Sequence, residues 1–97
     1  MQVTLSDEAK TDGRDAVDWY IEEGLFSVAG GFVDKLEHSL HLLSQFPELG
    51  RQGPFGARIL PLHVYPYSLV YRIQSVAIRV ITIAHHSRPP RYWAGRR

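Results

Sequence analysis

The chain has 97 residues, a 44% hydrophobic fraction and a formal net charge of +1, which fits a compact fold with one hydrophobic core and excludes a disordered chain. It has no cysteine, so disulfides and thiolate metal sites are excluded. The small net charge hides a segregation: all ten acidic residues lie between Asp7 and Glu48, whereas Arg51 to Arg97 holds eight arginines, no lysine and no acid. Charge divided this way gives the fold a basic surface suited to a polyanion or an acidic protein segment. Met1-Gln2-Val3-Thr4-Leu5 runs directly into Asp7 and Glu8, without the basic-then-apolar pattern of a secretory leader. No apolar run approaches the ~20 residues of a membrane span. A cytoplasmic protein with no membrane contact is expected.

Taken in chain order, Gln2-Val3-Thr4-Leu5 alternates as a short strand does. Ser6 is a suitable N-cap, and Asp7 and Glu8 follow in a first turn whose dipole favours carboxylates. Ala9, Ala16, Val17, Tyr20 and Ile21 share one helical stripe, which predicts an amphipathic helix over 7–23 stopped by Gly24. A second helix is predicted from Ser27, its expected cap, to the Phe46-Pro47 step, on the spacing of Val28, Ala29, Phe32, Leu36, Leu40 and Leu43. Gly30 and Gly31 weaken it, or allow a close crossing with the first helix. His38 and His41 stand three apart on it, a metal-ligand spacing without a third ligand, so solvated histidines and no metal are expected.

Residues 48–57 carry Gly50, Gly53, Pro54 and Gly56 and read as a loop. Strands are predicted over 58–64, with Pro61 at an edge or bulge, over 68–73, and from Ala77 to Ala84. The last has apolar residues at odd and even positions alike, as in a strand in the middle of a sheet with cover on at least one side. The expected fold is a single α+β domain over 1–97, β-α-α-β-β-β, with an antiparallel sheet covered on one face by a helical hairpin.

Several stretches carry a resemblance: Phe46-Pro47-Glu48-Leu49-Gly50-Arg51, Arg58-Ile59-Leu60-Pro61-Leu62, Tyr65-Pro66-Tyr67-Ser68-Leu69-Val70-Tyr71-Arg72, and Ile83-Ala84-His85-His86-Ser87-Arg88-Pro89-Pro90-Arg91-Tyr92-Trp93. In this order and spacing they resemble the RelE/ParE toxin superfamily of type II toxin–antitoxin modules, which includes plasmid-stabilisation systems. The resemblance implies growth inhibition and a cognate antitoxin that wraps the helical hairpin and sheet. Two activities divide the family: ribosome-dependent cleavage of mRNA in the RelE-like branch, and inhibition of DNA gyrase, without established nuclease activity, in the ParE-like branch.

RNA cleavage through the 2′-hydroxyl requires a base, cations for the phosphorane charge and an acid for the leaving oxygen. RelE-like members place an arginine immediately before the Leu-Val-Tyr of the penultimate strand, where this chain has Ser68, and carry lysines or a glutamate that are missing after Arg51. A nuclease would have to rely on His86, Arg88 and Tyr92. His85 and His86 should face opposite sides, with His85 continuing the Ile81–Ile83 face against the helices and His86 exposed. Trp93 and Tyr92 suit packing as well as stacking.

The reading is therefore a ParE-like toxin that inhibits DNA gyrase and is not an enzyme. Its expected target-binding residues are Arg58, Arg72, His86, Arg88, Arg91, Tyr92 and Trp93. Tyr20, Phe32 and Leu36 are expected to contact the antitoxin, and no cofactor is expected. The alternatives are a RelE-like endoribonuclease acting on the ribosome and its mRNA, and an inactive antitoxin-binding module.

Overall fold

The computed structural model describes residues 1–97 as strand β1 (Gln2–Leu5), helices α1 (Asp7–Glu22) and α2 (Phe26–Gln45), and strands β2 (Arg51–Gln52), β3 (Arg58–Leu62), β4 (Tyr67–Ile73) and β5 (Ala77–His85). Short 3₁₀ turns lie at Pro54–Gly56 and Pro90–Trp93. The strands form one sheet in the order β1-β5-β4-β3-β2, with the helical hairpin on one face. The α+β class and element order agree with the sequence reading, with two differences. The sheet is mixed rather than antiparallel, because β1 pairs parallel with β5. Arg51–Gln52, expected to be loop, pairs with Ile59 and Arg58 as a two-residue edge strand.

Each boundary has a local cause. The Ser6 side chain accepts the Ala9 amide at 3.0 Å and starts α1. Gly24, at φ +74, adopts the left-handed conformation that ends α1 and reverses the chain. The reversal is so short that α2 begins at Phe26 with Leu25 as an uncapped N-cap, so Ser27 lies inside the helix instead of capping it. Gly31 does not serve a helix crossing. A Cβ there would lie 2.4 Å from the Tyr65 hydroxyl, so the missing side chain makes room for that ring. Pro61 pairs with Ser68 on one side, and on its other side β2 is already past, so its missing N–H costs no ladder bond.

Strand β5 is interior, between β1 and β4, and buried on both faces. Ile78, Val80 and Ile83 join Leu69, Tyr71, Phe32 and Leu43 under the hairpin, while Ile81 and Ala84 join Val70, Ala57 and Trp93 on the other side. The switch is a bulge: Tyr71 pairs with Val80 and Val70 with Thr82, leaving Ile81 as the extra residue. His85 therefore shares the helix face with Ile83 but not with Ile81, which the bulge turns to the opposite side.

Candidate target-binding face

Beyond His85 the chain turns back over the sheet face away from the helices. Trp93, 3% exposed, packs there on Ala57, Val70, Ile81 and Ala84, with the Phe55 ring edge-on at 5.8 Å. Trp93 is thus the cap of the second core and not a platform for a base. The tail is fastened at the sheet edge. Because β1 stops at Leu5, the edge of β5 away from β4 has no strand partner past Val80. Asp12 of α1 fills the gap, its Oδ2 accepting from the Thr82 hydroxyl at 2.7 Å, the Ile83 amide at 3.3 Å and Arg96 at 2.6 Å. Burial disfavours the charged Arg96, but the hydrogen bond and charge of Asp12 outweigh it, so its pKa is raised.

Two clefts flank this tail. One, of about 360 Å³ on the face away from the helices, is bordered by Arg51, Ser68, His86 and Arg88. His86 is exposed and hydrogen-bonds through Nε2 to Ser68 Oγ at 2.8 Å, and its amide donates to Pro66 O at 2.8 Å. The other, of about 210 Å³ beside α1, is bordered by Asp12, Asp15, Trp19, His85, Arg88 and Tyr92. Here His85 stands edge-on to Tyr67 at 5.0 Å and accepts the Ser87 amide on Nδ1 at 3.0 Å. The Tyr92 ring has the Arg88 guanidinium 4.4 Å and the Arg96 guanidinium 4.6 Å from its centroid. His85 and Arg88 border both clefts, but His86 and Tyr92 border different ones. The two histidines take opposite faces, as expected.

The structure gathers His86, Arg88, Arg91 and Tyr92 at one end of the sheet, all exposed. The other expected target contacts have structural partners within the chain. Arg58, register partner of Tyr71 on the helix face, donates to Gly50 O at 2.7 Å and Glu48 O at 3.3 Å and braces that loop. Arg72 donates to Arg96 O at 2.8 Å and Phe55 O at 3.1 Å, tying down the tail. Trp93 is enclosed. Of the expected antitoxin contacts, Tyr20 and Phe32 are core residues at 6% and 0% exposure. Leu36 is half-buried in a shallow apolar groove with Leu5, Val17 and Ile83.

The hairpin's exposed apolar side chains are instead Trp19, Ile21, Leu25, Phe26 and Val28, around its tip. Helical periodicity assigned Ile21 and Val28 to the core stripe because it does not know where the sheet ends. Arg51 and Ser68 also went unassigned, the first because its two-residue strand has no sequence period. His38 and His41 are exposed on α2, with His41 Nε2 3.2 Å from Gln45 Nε2.

The family model described as "ParE toxin of type II toxin-antitoxin system, parDE" matches residues 3–90 of the chain. The chain belongs to the ParE toxin family. A solved structure of the chromosomal ParDE toxin–antitoxin system from P. aeruginosa has a chain that superposes with a TM-score of 0.75 at 22% identity, covering 88% of this chain and 95% of that one. At that identity the likeness concerns the fold. No protein of curated function matches in sequence. For this ParE-family toxin no helix is long and apolar enough to cross a membrane.

Proposed function

We propose that this ParE-family toxin acts in the cytoplasm by binding DNA gyrase through the exposed His86–Tyr92 end of its sheet, and that a cognate antitoxin neutralises it. One observation carries the choice of binding over cleavage. His86 and Tyr92, the proton-handling and stacking groups that a nuclease would need together, border different clefts. His86 hydrogen-bonds to the Ser68 hydroxyl, and beyond Arg51 no carboxylate or lysine is present to act as its catalytic complement. Four exposed groups, His86, Arg88, Arg91 and Tyr92, form a contiguous cationic and aromatic end suited to gripping a macromolecular surface. The antitoxin reading rests on the family and on the exposed Trp19, Leu25 and Phe26, an apolar patch that an amphipathic peptide would cover.

Growth arrest on induced expression separates the readings. In the gyrase-binding reading His86→Ala still arrests growth, while the pair Arg88→Ala, Arg91→Ala releases it and loses gyrase co-purification. In the endoribonuclease reading, which the Ser68–His86 bond beside Arg51 and Arg88 favours, His86→Ala alone abolishes both arrest and cleavage of ribosome-bound mRNA. Unimpeded growth with the wild-type chain would leave an inactive antitoxin-binding module.

A further inference from the structure

A third cleft, of about 430 Å³, lies at the other end of the sheet, between β4, β5 and the last residues of the chain. We infer that it binds a phosphate-dense anion, either an inorganic polyphosphate or the phosphate chain of a nucleotide. Its walls include Arg72, Gln74, Arg79, Arg96 and Arg97, with no acidic side chain and no aromatic ring.

Arg72 and Arg79 are register partners on adjacent strands, so their side chains leave the same face side by side. Like charges placed directly across a strand pair repel. Neither has a carboxylate partner, because both ion pairs of the chain belong to Arg96, with Glu8 at 3.4 Å and Asp12 at 2.6 Å. Arg72 and Arg79 are held by neutral oxygens instead. Arg72 donates to the carbonyls of Arg96 and Phe55, and Arg79 to Thr4 Oγ1 and Leu5 O at 3.4 Å each. Those bonds fix the direction of each guanidinium and leave its charge unmatched.

Arg97 adds a third unpaired cation and Gln74 a neutral amide donor. Three planar forks around a cleft of this size suit several phosphate oxygens carrying several charges. A single carboxylate would leave most of the charge uncompensated. Without an aromatic side chain in the lining there is no platform on which a base would stack, so recognition falls on the phosphates. Arg79, Arg96 and Arg97 were not among the target contacts expected from sequence. The site is separate from the gyrase reading, since it uses none of the His86–Tyr92 groups.

The test is calorimetric titration of the pure chain with sodium tripolyphosphate, with ATP and tetraglutamate in parallel. The expected result is saturable one-to-one binding of tripolyphosphate. It should weaken by about tenfold in Arg72→Gln or Arg79→Gln. Arg97→Ala should weaken it by about threefold; this exposed side chain holds nothing else in place, so that variant keeps the test valid if the strand variants unfold. ATP binding more tightly than tripolyphosphate would assign a nucleotide, and equal or weaker binding an inorganic chain. No saturable binding at millimolar tripolyphosphate, affinity unchanged by Arg97→Ala and Arg72→Gln, or tetraglutamate binding equally well would overturn the assignment.

Discussion

The two faces of the sheet are built on different terms. The helix face buries Phe32, Leu43, Leu69, Tyr71, Ile78 and Val80 beneath two long helices, forming a cluster of 12 buried residues. The opposite face has a cluster of 5 and depends for its cover on one ring, Trp93, at the end of an irregular tail. Around that ring the face is given over to guanidinium groups. Stability thus resides mainly on one side, while the other carries exposed guanidinium charge. It also follows that damage to the tail should be local, whereas damage under the hairpin should be global.

The largest expected effect is on the helix face. Phe32→Ala, at 0% exposure, removes a ring touching Tyr20, Tyr65 and Tyr67 and should cost about 4 kcal/mol. In so small a domain that is most of the stability, measurable as loss of the cooperative urea transition. Trp93→Ala on the other face should cost about 3 kcal/mol. The chain should remain folded under the hairpin, with amide exchange accelerating at Val70, Ile81 and Ala84 before it does at Ile78 and Val80. Equal acceleration on both faces would contradict the division.

Asp12→Ala should cost about 3 kcal/mol, because Thr82, the Ile83 amide and the enclosed Arg96 lose their acceptor together. Arg96 should then become mobile by NMR relaxation. Tyr71→Phe should cost about 2 kcal/mol, since its hydroxyl accepts the Gly50 amide and donates to Pro47 O, both at 2.8 Å.

Burial raises the pKa of Tyr71, Tyr20 and Tyr67 above the ordinary 10.0. A raised folded pKa means that the unfolded chain loses its protons first. Stability is therefore full below pH 10.0 and falls as pH rises from there through the folded values, with a shallower fall in Tyr71→Phe. The smallest effect is a gain. Val64 is a β-branched residue at φ 81 in an exposed turn, and Val64→Gly should stabilise by about 1 kcal/mol in a denaturant titration.

The helix face was the more legible from sequence because its residues follow periods that local physics imposes. The Phe32–Leu36–Leu40–Leu43 spacing and the doubly apolar β5 run place the hairpin and the central strand without further information. The opposite face has no such period. Trp93 caps it from a segment with two prolines, and whether that ring packs or stacks depends on the space left above Val70 and Ala84. The bulge at Ile81, which decides which residues reach that space, leaves no mark on an unbroken apolar run. Asp12 was one carboxylate among many on an amphipathic helix, and only the early end of β1 makes it the acceptor that closes the sheet edge. Arg79 did carry a signal, a charge in the middle of the most apolar strand.

The central claim is that the exposed end of the basic side grips a protein target and does not cut RNA. Its most direct test is DNA supercoiling by purified gyrase titrated with the pure chain, run beside a translating ribosome carrying labelled mRNA. The account predicts that supercoiling stops at near-stoichiometric toxin while the mRNA stays full length. Supercoiling that continues unchanged while the message is cut would contradict it.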